Sequence, residues 1–234
     1  MTGSLFLSGG GGAEDSLRLD TAFASAVGSG PLWYWPVAMV PAESDYAACL
    51  EWVTGVFSPL GLNDIQMWDG AGDEPARRLP EFRGVYIGGG NTFRLLAVLR
   101  RNGLLTALKR FLENGGAVYG GSAGAAVMGV DITTVAHLDV DSCHTTDTRG
   151  LDLLAGHGVF VHHRLQDTPR AREWARENRR PVVALHERAG AVVADGQFTA
   201  VGFEPVHLVG DQVRSLQPGE SVMLPLTTPD TQPR

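Results

Sequence analysis

Cysteines, positive charge and long apolar runs are all scarce in this sequence, and each scarcity excludes a class of protein. Cys49 and Cys143 are the two cysteines, and they lie too far apart for a disulfide framework or for metal-ligand spacing. The formal net charge of −7 argues against an extended nucleic-acid surface. No segment approaches the roughly 20 apolar residues of a membrane span. These absences predict a cytoplasmic protein with neither nucleic-acid nor membrane partners.

The size and the remaining composition are typical of one folded domain. A chain of 234 residues with 44% hydrophobic residues can bury a substantial core. We expect a single domain over residues 1–224 and a flexible, polar, proline-rich tail over residues 225–234. The segment Met1–Leu7 has no basic region, and its apolar run is short, so it predicts a first strand rather than a signal peptide.

Short apolar runs alternate with longer amphipathic segments through the first half of the chain. This alternation predicts an α/β fold in which helices flank a mainly parallel sheet. Asn114-Gly115-Gly116 ends the last of the helices, as expected of a helix stop. The predicted strands are Ser4–Leu7, Val37–Val40, Ile65–Trp68, Gly84–Ile87 and Ala117–Tyr119, and the predicted helices are Asp15–Val27, Asp45–Phe57, Thr92–Arg100 and Leu104–Asn114.

The C-terminal third has a different pattern. Val159–Val161 and Pro181–Leu185 are predicted to be buried strands separated by a charged helix near Arg170–Asn178. Two hairpins are predicted after them. The first pairs Ala191–Ala194 with Phe198–Val201 through a tight Asp195-Gly196 turn, and the second pairs Val206–Val209 with Gln212–Leu216.

A serine in a run of small residues follows the predicted strand Ala117–Tyr119. Gly120-Gly121-Ser122-Ala123-Gly124-Ala125 has the G-x-S-x-G pattern of a nucleophile elbow, in which glycines permit a sharp turn that leaves the serine hydroxyl exposed. The next backbone N–H, from Ala123, would point to where an oxyanion forms. The motif predicts a serine hydrolase, although the pattern alone is common by chance.

Three further motifs follow predicted strands, where ligands bind in open parallel sheets. Gly9–Gly12 and Gly88–Gly90 do not complete the G-x-G-x-x-G spacing of a nucleotide site. The second run can supply an oxyanion donor next to the serine, or the glycines can serve only to allow tight turns. His162 and His163 follow Val159–Val161, and either can be a general base.

The other histidines and a metal site are weaker candidates. His137, His144, His157 and His207 have the pattern of surface or structurally satisfied residues, and His186 adjoins Glu187 after a predicted strand. His157, His162 and His163 can be combined with Asp167 into a metal site, but their spacing matches no standard zinc pattern. We therefore predict no metal and no cofactor.

Two motifs together carry a resemblance to a known family. Gly88-Gly89-Gly90-Asn91-Thr92-Phe93-Arg94-Leu95-Leu96, followed by Tyr119-Gly120-Gly121-Ser122-Ala123-Gly124-Ala125, closely resembles the peptidase E family of serine peptidases. That family contains the aspartyl dipeptidases, and the cyanophycinases are its relatives. The resemblance is clear over about Gly84–Val130 and looser around His162 and Glu187. It implies an α/β sandwich of the class I glutamine amidotransferase type.

The resemblance also implies a Ser-His-Glu triad. Ser122 would be the nucleophile, His162 the base and Glu187 the carboxylate that orients it, while a one-residue slip would make His163 the base. By the same resemblance, the N–H groups of Gly90 and Ala123 would donate to the oxyanion. The substrate would be bound by Gly89, Asn91 and Thr92. Asn91 and Thr92 can instead cap a helix.

The sequence departs from the family after the histidine. Aspartyl dipeptidases have a proline before it and a longer loop after it, with arginines that receive the acidic side chain of the substrate. Here Val161 precedes His162, and Arg170 or Arg172 can take that role because a guanidinium suits a carboxylate. Both arginines can equally be the solvated first turn of the following helix.

The resulting expectation is a serine peptidase that hydrolyses short peptides, as a dipeptidase or exopeptidase that favours an N-terminal aspartate. One alternative is a cyanophycinase-like hydrolase of β-aspartyl peptides or other amides, and another is a non-catalytic binding protein on the same fold. Trp33-Tyr34-Trp35 is apolar enough for a contact surface in a homo-oligomer or for aromatics buried beside a strand.

Overall fold

Strands and helices alternate through the first half of the chain, and strands dominate its C-terminal part. The structure is a computed structural model that describes residues 2–40, 42, 44–72 and 74–224. Among these residues the strands are β1 Ser4–Ser8, β2 Leu32–Trp35, β3 Ile65–Met67, β4 Gly84–Ile87, β5 Ala117–Gly121, β6 Gly158–Phe160, β7 Val182–Ala184, β8 Ala189–Ala194, β9 Gln197–Gly202, β10 Val206–Val209, β11 Val213–Leu216 and β12 Ser221–Met223. The α-helices are α1 Ala13–Val27, α2 Tyr46–Phe57, α3 Pro75–Arg78, α4 Thr92–Arg101, α5 Leu104–Glu113, α6 Ala123–Ala126 and α7 Thr168–Asn178.

In the described part of the chain, eight strands form one sheet, in the order β12-β9-β8-β1-β5-β4-β2-β3. The strands β1, β5, β4, β2 and β3 are parallel, and β8, β9 and β12 extend the sheet in antiparallel pairing. The predicted mainly parallel sheet flanked by helices is therefore confirmed. Its parallel strands place their carboxyl ends at one edge, where Ser8, Ser122 and Gly88 follow one another at the ends of β1, β5 and β4.

Each face of the large sheet packs against its own set of helices. On one face, aromatic side chains of the strands pack against Phe23 of α1 and Phe57 of α2. On the other face, Trp33 and Trp35 belong to the core that α4, α5 and α6 cover. Burying a large apolar side chain stabilises a fold by about 1.5–3 kcal/mol. The two layers of helices therefore hold the sheet edge that carries the glycine and serine loops.

The predicted second strand, Val37–Val40, was wrong, because the strand lies earlier in the chain. β2 spans Leu32–Trp35, and the chain turns after Pro36. Aromatic residues favour strands, and Pro36 has no N–H with which to continue the ladder. All four residues of β2 are buried, so no polar alternation marks the strand in the sequence. The burial also removes Trp33-Tyr34-Trp35 as a contact surface between copies of the chain.

All five predicted helices are present, with boundaries that follow from their caps. The carboxylate of Asp45 accepts hydrogen bonds from the N–H groups of Ala47 and Ala48 and caps α2 where predicted. The predicted start of α1 at Asp15 was two residues late, because Asp15 lies inside the first turn and accepts from the N–H of Gly12 at 3.1 Å. α5 ends at Glu113, one residue before the predicted end at Asn114, which is the C-cap residue.

A second, smaller sheet has the order β11-β10-β7-β6 in the described residues. Both predicted hairpins are confirmed: β8 pairs with β9 around Asp195-Gly196, and β10 pairs with β11. The strand before His162 was expected to end at the same edge as the strands of the main sheet. Instead, this strand is β6, which pairs with β7 in the smaller sheet. Short apolar strands carry no signal that assigns them to one sheet rather than another.

The remaining expectations concern domains and membranes. The predicted tail over residues 225–234 lies outside the described residues, and the single domain over residues 1–224 stays a prediction. None of the helices in the described residues is long and apolar enough to cross a bilayer.

Candidate active site

Ser122 stands at the turn between β5 and α6, in a backbone conformation that side-chain-bearing residues rarely adopt. Its φ is 51° and its ψ is −109°, and it is the residue immediately before the helix. Its N–H donates to the carbonyl oxygen of Ser8 at the end of β1, at 3.2 Å. Backbone strain of this kind costs on the order of 1–3 kcal/mol and is typical of nucleophile elbows.

The glycines of the elbow are needed for close packing. A Cβ on Gly120 would lie 2.4 Å from the carbonyl oxygen of Gly124, and a Cβ on Gly124 would lie 2.3 Å from that of Ile87. No side chain tolerates such distances to backbone atoms. The glycines therefore let α6 start directly against β4 and β5, with Ser122 at the apex of the turn.

His162 reaches Ser122 from the smaller sheet. Its Nε2 lies 2.8 Å from the hydroxyl oxygen of Ser122. The backbone N–H of His162 donates to the carbonyl oxygen of Gly9 at 2.9 Å, which connects the end of β6 to the loop after β1. Its φ of 50° is in the left-handed region that favours glycine. This hydrogen bond and this turn direct the imidazole back over the edge of the large sheet.

The glycine run Gly9–Gly12 provides the surface on which the imidazole lies. Gly10 has a φ of 108°, and a Cβ there would lie 2.3 Å from Cε1 of His162. A Cβ on Gly9 would lie 1.9 Å from the carbonyl oxygen of His186, and the N–H of Gly11 donates to the carbonyl oxygen of Glu187 at 3.2 Å. The run thus holds the segments that carry His162 and Glu187, a role that its sequence pattern did not indicate.

Glu187 lies in the turn between β7 and β8 and contacts the other ring nitrogen of His162. Its Oε1 lies 3.2 Å from Nδ1 of His162. Its neighbours are held by other partners, since His186 contacts Glu204 at 2.7 Å and Arg188 contacts Asp15 at 3.3 Å. With a proton on Nδ1 facing Glu187, Nε2 can accept the proton of the serine hydroxyl.

The glycine-asparagine loop after β4 lies beside the serine. A Cβ on Gly89 would lie 3.3 Å from Cβ of Ser122. Gly90 has a φ of 134°, and a Cβ there would lie 2.6 Å from the carbonyl carbon of Ala38. Within the described residues, the N–H groups of Gly90 and Ala123 have no acceptor. Their participation in an oxyanion hole stays a prediction.

Asn91 and Thr92 form hydrogen bonds at the start of α4. The side-chain oxygen of Asn91 accepts from the N–H of Arg94 at 2.9 Å, and its amide donates to the carbonyl oxygen of Val140 at 2.8 Å. Thr92 is buried, and its N–H donates to the carboxylate of Asp139 at 2.8 Å. The contact of Asn91 with Arg94 corresponds to the helix-capping alternative, and the other two contacts tie the loop around Val140 to the helix.

Arg170 and Arg172 are not brought to the serine. Both lie on the exposed side of α7 and line an open groove, together with Asp167, Glu173 and Asp211. Arg170 lies 3.9 Å from Asp167, which precedes α7. The groove includes neither Ser122 nor His162 among its lining residues.

His163 turns away from Ser122 into the smaller sheet. It is 2% exposed, its Nε2 lies 3.3 Å from the hydroxyl of Thr168, and its ring packs edge-on against His207. Burial, followed by the nearby His207, holds the pKa of His163 below its ordinary value. The other histidines have separate partners: His137 stacks on Phe160, His157 contacts the carbonyl oxygen of Leu154, and His207 contacts Ser215.

A cavity of about 400 Å³ opens next to Ser122, and the sequence did not reveal it. Tyr34, Tyr86 and Tyr119 form part of its wall from paired positions on β2, β4 and β5. The rings of Tyr86 and Tyr119 stack with centroids 4.6 Å apart. α2 contributes Cys49 and Trp52. The sequence signal that could have indicated this cavity was the recurrence of tyrosine near the ends of β2, β4 and β5.

A buried carboxylate lies behind this wall. Asp20 of α1 accepts hydrogen bonds from the hydroxyls of Ser16 at 2.7 Å and Tyr119 at 2.8 Å. Burial raises the pKa of Asp20 to about 6, although both hydrogen bonds oppose the change. Its sequence signal was an acidic residue on the apolar face of an amphipathic helix.

Within the described residues, no group of three or more His, Cys, Asp or Glu side chains could hold a metal ion. A serine hydroxyl, an imidazole and a carboxylate in sequence, at the carboxyl edge of a parallel sheet, form the arrangement of the serine hydrolases.

The chain belongs to peptidase family S51, whose model matches residues 5–201. It is 30% identical over 159 residues to the peptidase E of Streptomyces coelicolor, an alignment that covers 64% of this chain and 65% of that protein. It is 27% identical over 153 residues to the peptidase E of Shewanella sp. strain W3-18-1, covering 62% and 65%. The chain thus covers less than two thirds of the length of these relatives. The expected resemblance to the peptidase E family is confirmed.

Solved structures share the fold. A crystal structure of a peptidase from an acI-B1 actinobacterium matches with a TM-score of 0.72 at 20% identity, covering 95% of this chain and 97% of that one. A peptidase E candidate from Listeria monocytogenes EGD-e matches with a TM-score of 0.68 at 20% identity, covering 86% and 99%. At such identity the likeness supports the α/β fold alone.

Proposed function

We propose that this chain is a serine peptidase that hydrolyses short peptides through an acyl-enzyme. The observation that carries the proposal is the 2.8 Å contact between Oγ of Ser122 and Nε2 of His162, with Glu187 at 3.2 Å from the other ring nitrogen. Membership of family S51 and the peptidase E names of the relatives support peptides as the substrate class.

In the proposed reaction, His162 takes the hydroxyl proton while Ser122 attacks the scissile carbonyl. Glu187 holds the imidazole tautomer and stabilises the imidazolium that forms. The N–H groups of Gly90 and Ala123 donate to the oxyanion, and a positioned donor of this kind contributes roughly 10²–10³-fold to kcat. His162 then protonates the leaving amine, and a water molecule that it deprotonates hydrolyses the ester.

A dipeptidase or exopeptidase that favours N-terminal aspartate is the narrower form of this proposal. The position of Arg170 and Arg172 on the exposed side of α7 does not favour it, because neither lines the cavity next to Ser122. A cytoplasmic location and action as a homo-oligomer are not needed for the proposed chemistry.

Ser122→Ala tests the proposal directly. We expect it to lower kcat on a panel of dipeptides by roughly 10³-fold or more while the far-UV circular dichroism is unchanged. Ser221→Ala, on the short strand β12 away from the cavity, is the matched control. A serine-reactive phosphonate should label the parent protein at Ser122. Full activity of Ser122→Ala would refute the mechanism, and a β-aspartyl dipeptide in the panel would detect the cyanophycinase-like alternative.

A further inference from the structure

The cavity next to Ser122 is placed to receive a side chain of the substrate. It is bordered by the ends of β1, β2, β4 and β5 and by α1 and α2, and Ser122 and Gly89 lie on its border. A peptide whose carbonyl carbon meets the hydroxyl of Ser122 therefore has one neighbouring side chain directed into it. Its volume of about 400 Å³ is within the range of small-molecule sites and exceeds what a single aromatic side chain requires.

The walls of this cavity are aromatic and uncharged. Three tyrosines, a tryptophan, a methionine and a cysteine contribute to them: Tyr34, Tyr86, Tyr119, Trp52, Met39 and Cys49. Burial raises the pKa values of Tyr34, Tyr86 and Tyr119 above their ordinary value, so these rings stay neutral at physiological pH. Aromatic walls pack favourably against another ring through stacked and edge-on contacts.

No cationic side chain is present among the residues that line this cavity in the described chain. Arg94 comes close to the Met39 wall, but its Nε donates to the carbonyl oxygen of Met39 at 3.0 Å and it does not line the cavity. A carboxylate that entered the cavity would lose its hydration without a compensating charge. Such a loss is unfavourable unless a positive charge or several hydrogen bonds replace the lost water.

A buried carboxylate behind the wall has the wrong sign for an acidic ligand. Asp20 lies within one hydrogen bond of two lining residues, Ser16 and Tyr119. When it is ionised, its carboxylate disfavours a second carboxylate in the cavity, since charges are weakly screened in the interior.

We infer that the cavity next to Ser122 is the specificity pocket of this peptidase and receives an uncharged apolar or aromatic side chain, to the exclusion of an acidic one. The inference rests on the proposed function, because it assigns a side chain of the peptide that Ser122 attacks. It follows from the neutral aromatic walls, from the position of Asp20 behind them, and from the absence of lining cations.

The experiment compares kcat/KM for two dipeptide series, Xaa-Ala and Ala-Xaa, in which Xaa is Phe, Leu, Ala or Asp. In one series we expect Phe or Leu to exceed Asp by roughly tenfold or more. Cys49→Phe, which fills the cavity, should lower the value for Phe in that series by roughly tenfold while changing Ala-Ala less than about threefold. Cys49→Ser keeps the side-chain volume and should retain the parent ranking.

A second variant guards against a folding defect in Cys49→Phe. Trp52 is 45% exposed, so Trp52→Ala should fold, and it should reduce the ratio of the Phe to the Ala substrate by about threefold or more through lost aromatic contact. A preference for Asp over Phe and Leu in both series would overturn the inference, as would equal losses on Phe and Ala substrates in both variants.

Binding measurements distinguish a failure of the pocket assignment from a failure of the proposed function. In calorimetric titrations of Ser122→Ala, Phe-containing dipeptides should bind about tenfold more tightly than Asp-containing ones. If the parent protein cleaves no dipeptide, the proposed function fails, and this ranking still decides the pocket. Equal or reversed affinities would overturn the pocket assignment while leaving a measured peptidase activity intact.

Discussion

Gly10 lies directly beneath the imidazole of His162, where a Cβ would be 2.3 Å from Cε1 of the ring. The ring can occupy its position between Ser122 and Glu187 because residue 10 has no side chain. Gly10 also has a φ of 108°, which L-residues rarely adopt. A glycine in a loop after β1 therefore controls the position of an imidazole contributed by the other sheet.

Gly10→Ala should consequently displace the imidazole. We expect kcat/KM for dipeptide hydrolysis to fall by roughly 10²-fold, because small misplacements of a general base remove much of its effect. Gly12→Ala is the matched control, since the nearest atom to a Cβ at Gly12 is 3.9 Å away and its φ is −74°. Steady-state kinetics and thermal melts of both variants would measure the effect, and equal activity of the two would contradict this role of Gly10.

Glu187→Gln should reduce kcat because the neutral amide no longer stabilises the imidazolium. The loss should be about 10²–10⁴-fold, with KM changed much less. The chain offers a matched pair for comparison, because Glu204 contacts His186 at 2.7 Å in a similar manner outside the proposed triad. Glu204→Gln should keep kcat within about threefold of the parent value. A large loss in both variants would indicate a structural rather than a catalytic effect.

The two adjacent histidines should respond in opposite ways to replacement. His162→Ala should lower kcat by roughly 10³-fold or more, because the serine loses its base. His163→Phe should retain activity within about threefold and should not lower the free energy of unfolding, since a ring still packs against His207. Among the described residues, Nδ1 of His163 is buried without a hydrogen-bond partner, and Nε2 has a long contact of 3.3 Å with the hydroxyl of Thr168, so little is lost with the imidazole. Activity in His162→Ala but not in His163→Phe would assign the base to the other histidine.

Asp20→Asn should change how stability depends on pH. The pKa of Asp20 is raised from 3.8 to about 6, so the folded protein binds more protons than the unfolded chain between these values. The contribution of Asp20 to stability is therefore fully present below the unfolded pKa and is lost as the pH rises through about 6. The groups that face it, Ser16, Tyr86 and Tyr119, stay neutral over this range.

The asparagine variant should gain stability relative to the parent by up to about 3 kcal/mol between roughly pH 4 and pH 7. Ser16 also lies 3.0 Å from the carbonyl oxygen of Gly12, so its hydroxyl can redirect its proton and accept from the new amide. Urea unfolding at several pH values measures the difference between variant and parent. A difference that does not change with pH would show that Asp20 is not the titrating group.

The sequence predicted the elements of the fold well where local signals were strong. Asp45 and Asn91 cap helices at the expected places, and the Asp195-Gly196 turn joins the predicted hairpin. β2 was misplaced because a strand buried on both faces has no alternation, and its aromatic residues also suit a contact surface. Boundaries depended on cap geometry, as Asp15 shows in the first turn of α1.

In the candidate site, too, some residues could be predicted from the sequence and others could not. The sequence by itself predicted the elbow at Ser122, because glycines around a serine after a buried strand permit the sharp turn that the structure has. It also supplied His162 and Glu187 through the family motifs, with His163 left as an alternative. It could not identify the role of Gly10 or the cavity walls, because no local rule connects residues so far apart in the chain.

Tertiary structure alone decided which histidine faces Ser122 and what surrounds the hydroxyl. His162 and His163 differ in their partners because the backbone of His162 binds Gly9 and that of His163 binds Leu185. The tyrosines of β2, β4 and β5 become one wall because parallel pairing places them in register. Local propensity sets the turn at Ser122, whereas the neighbours of its hydroxyl depend on contacts between distant segments.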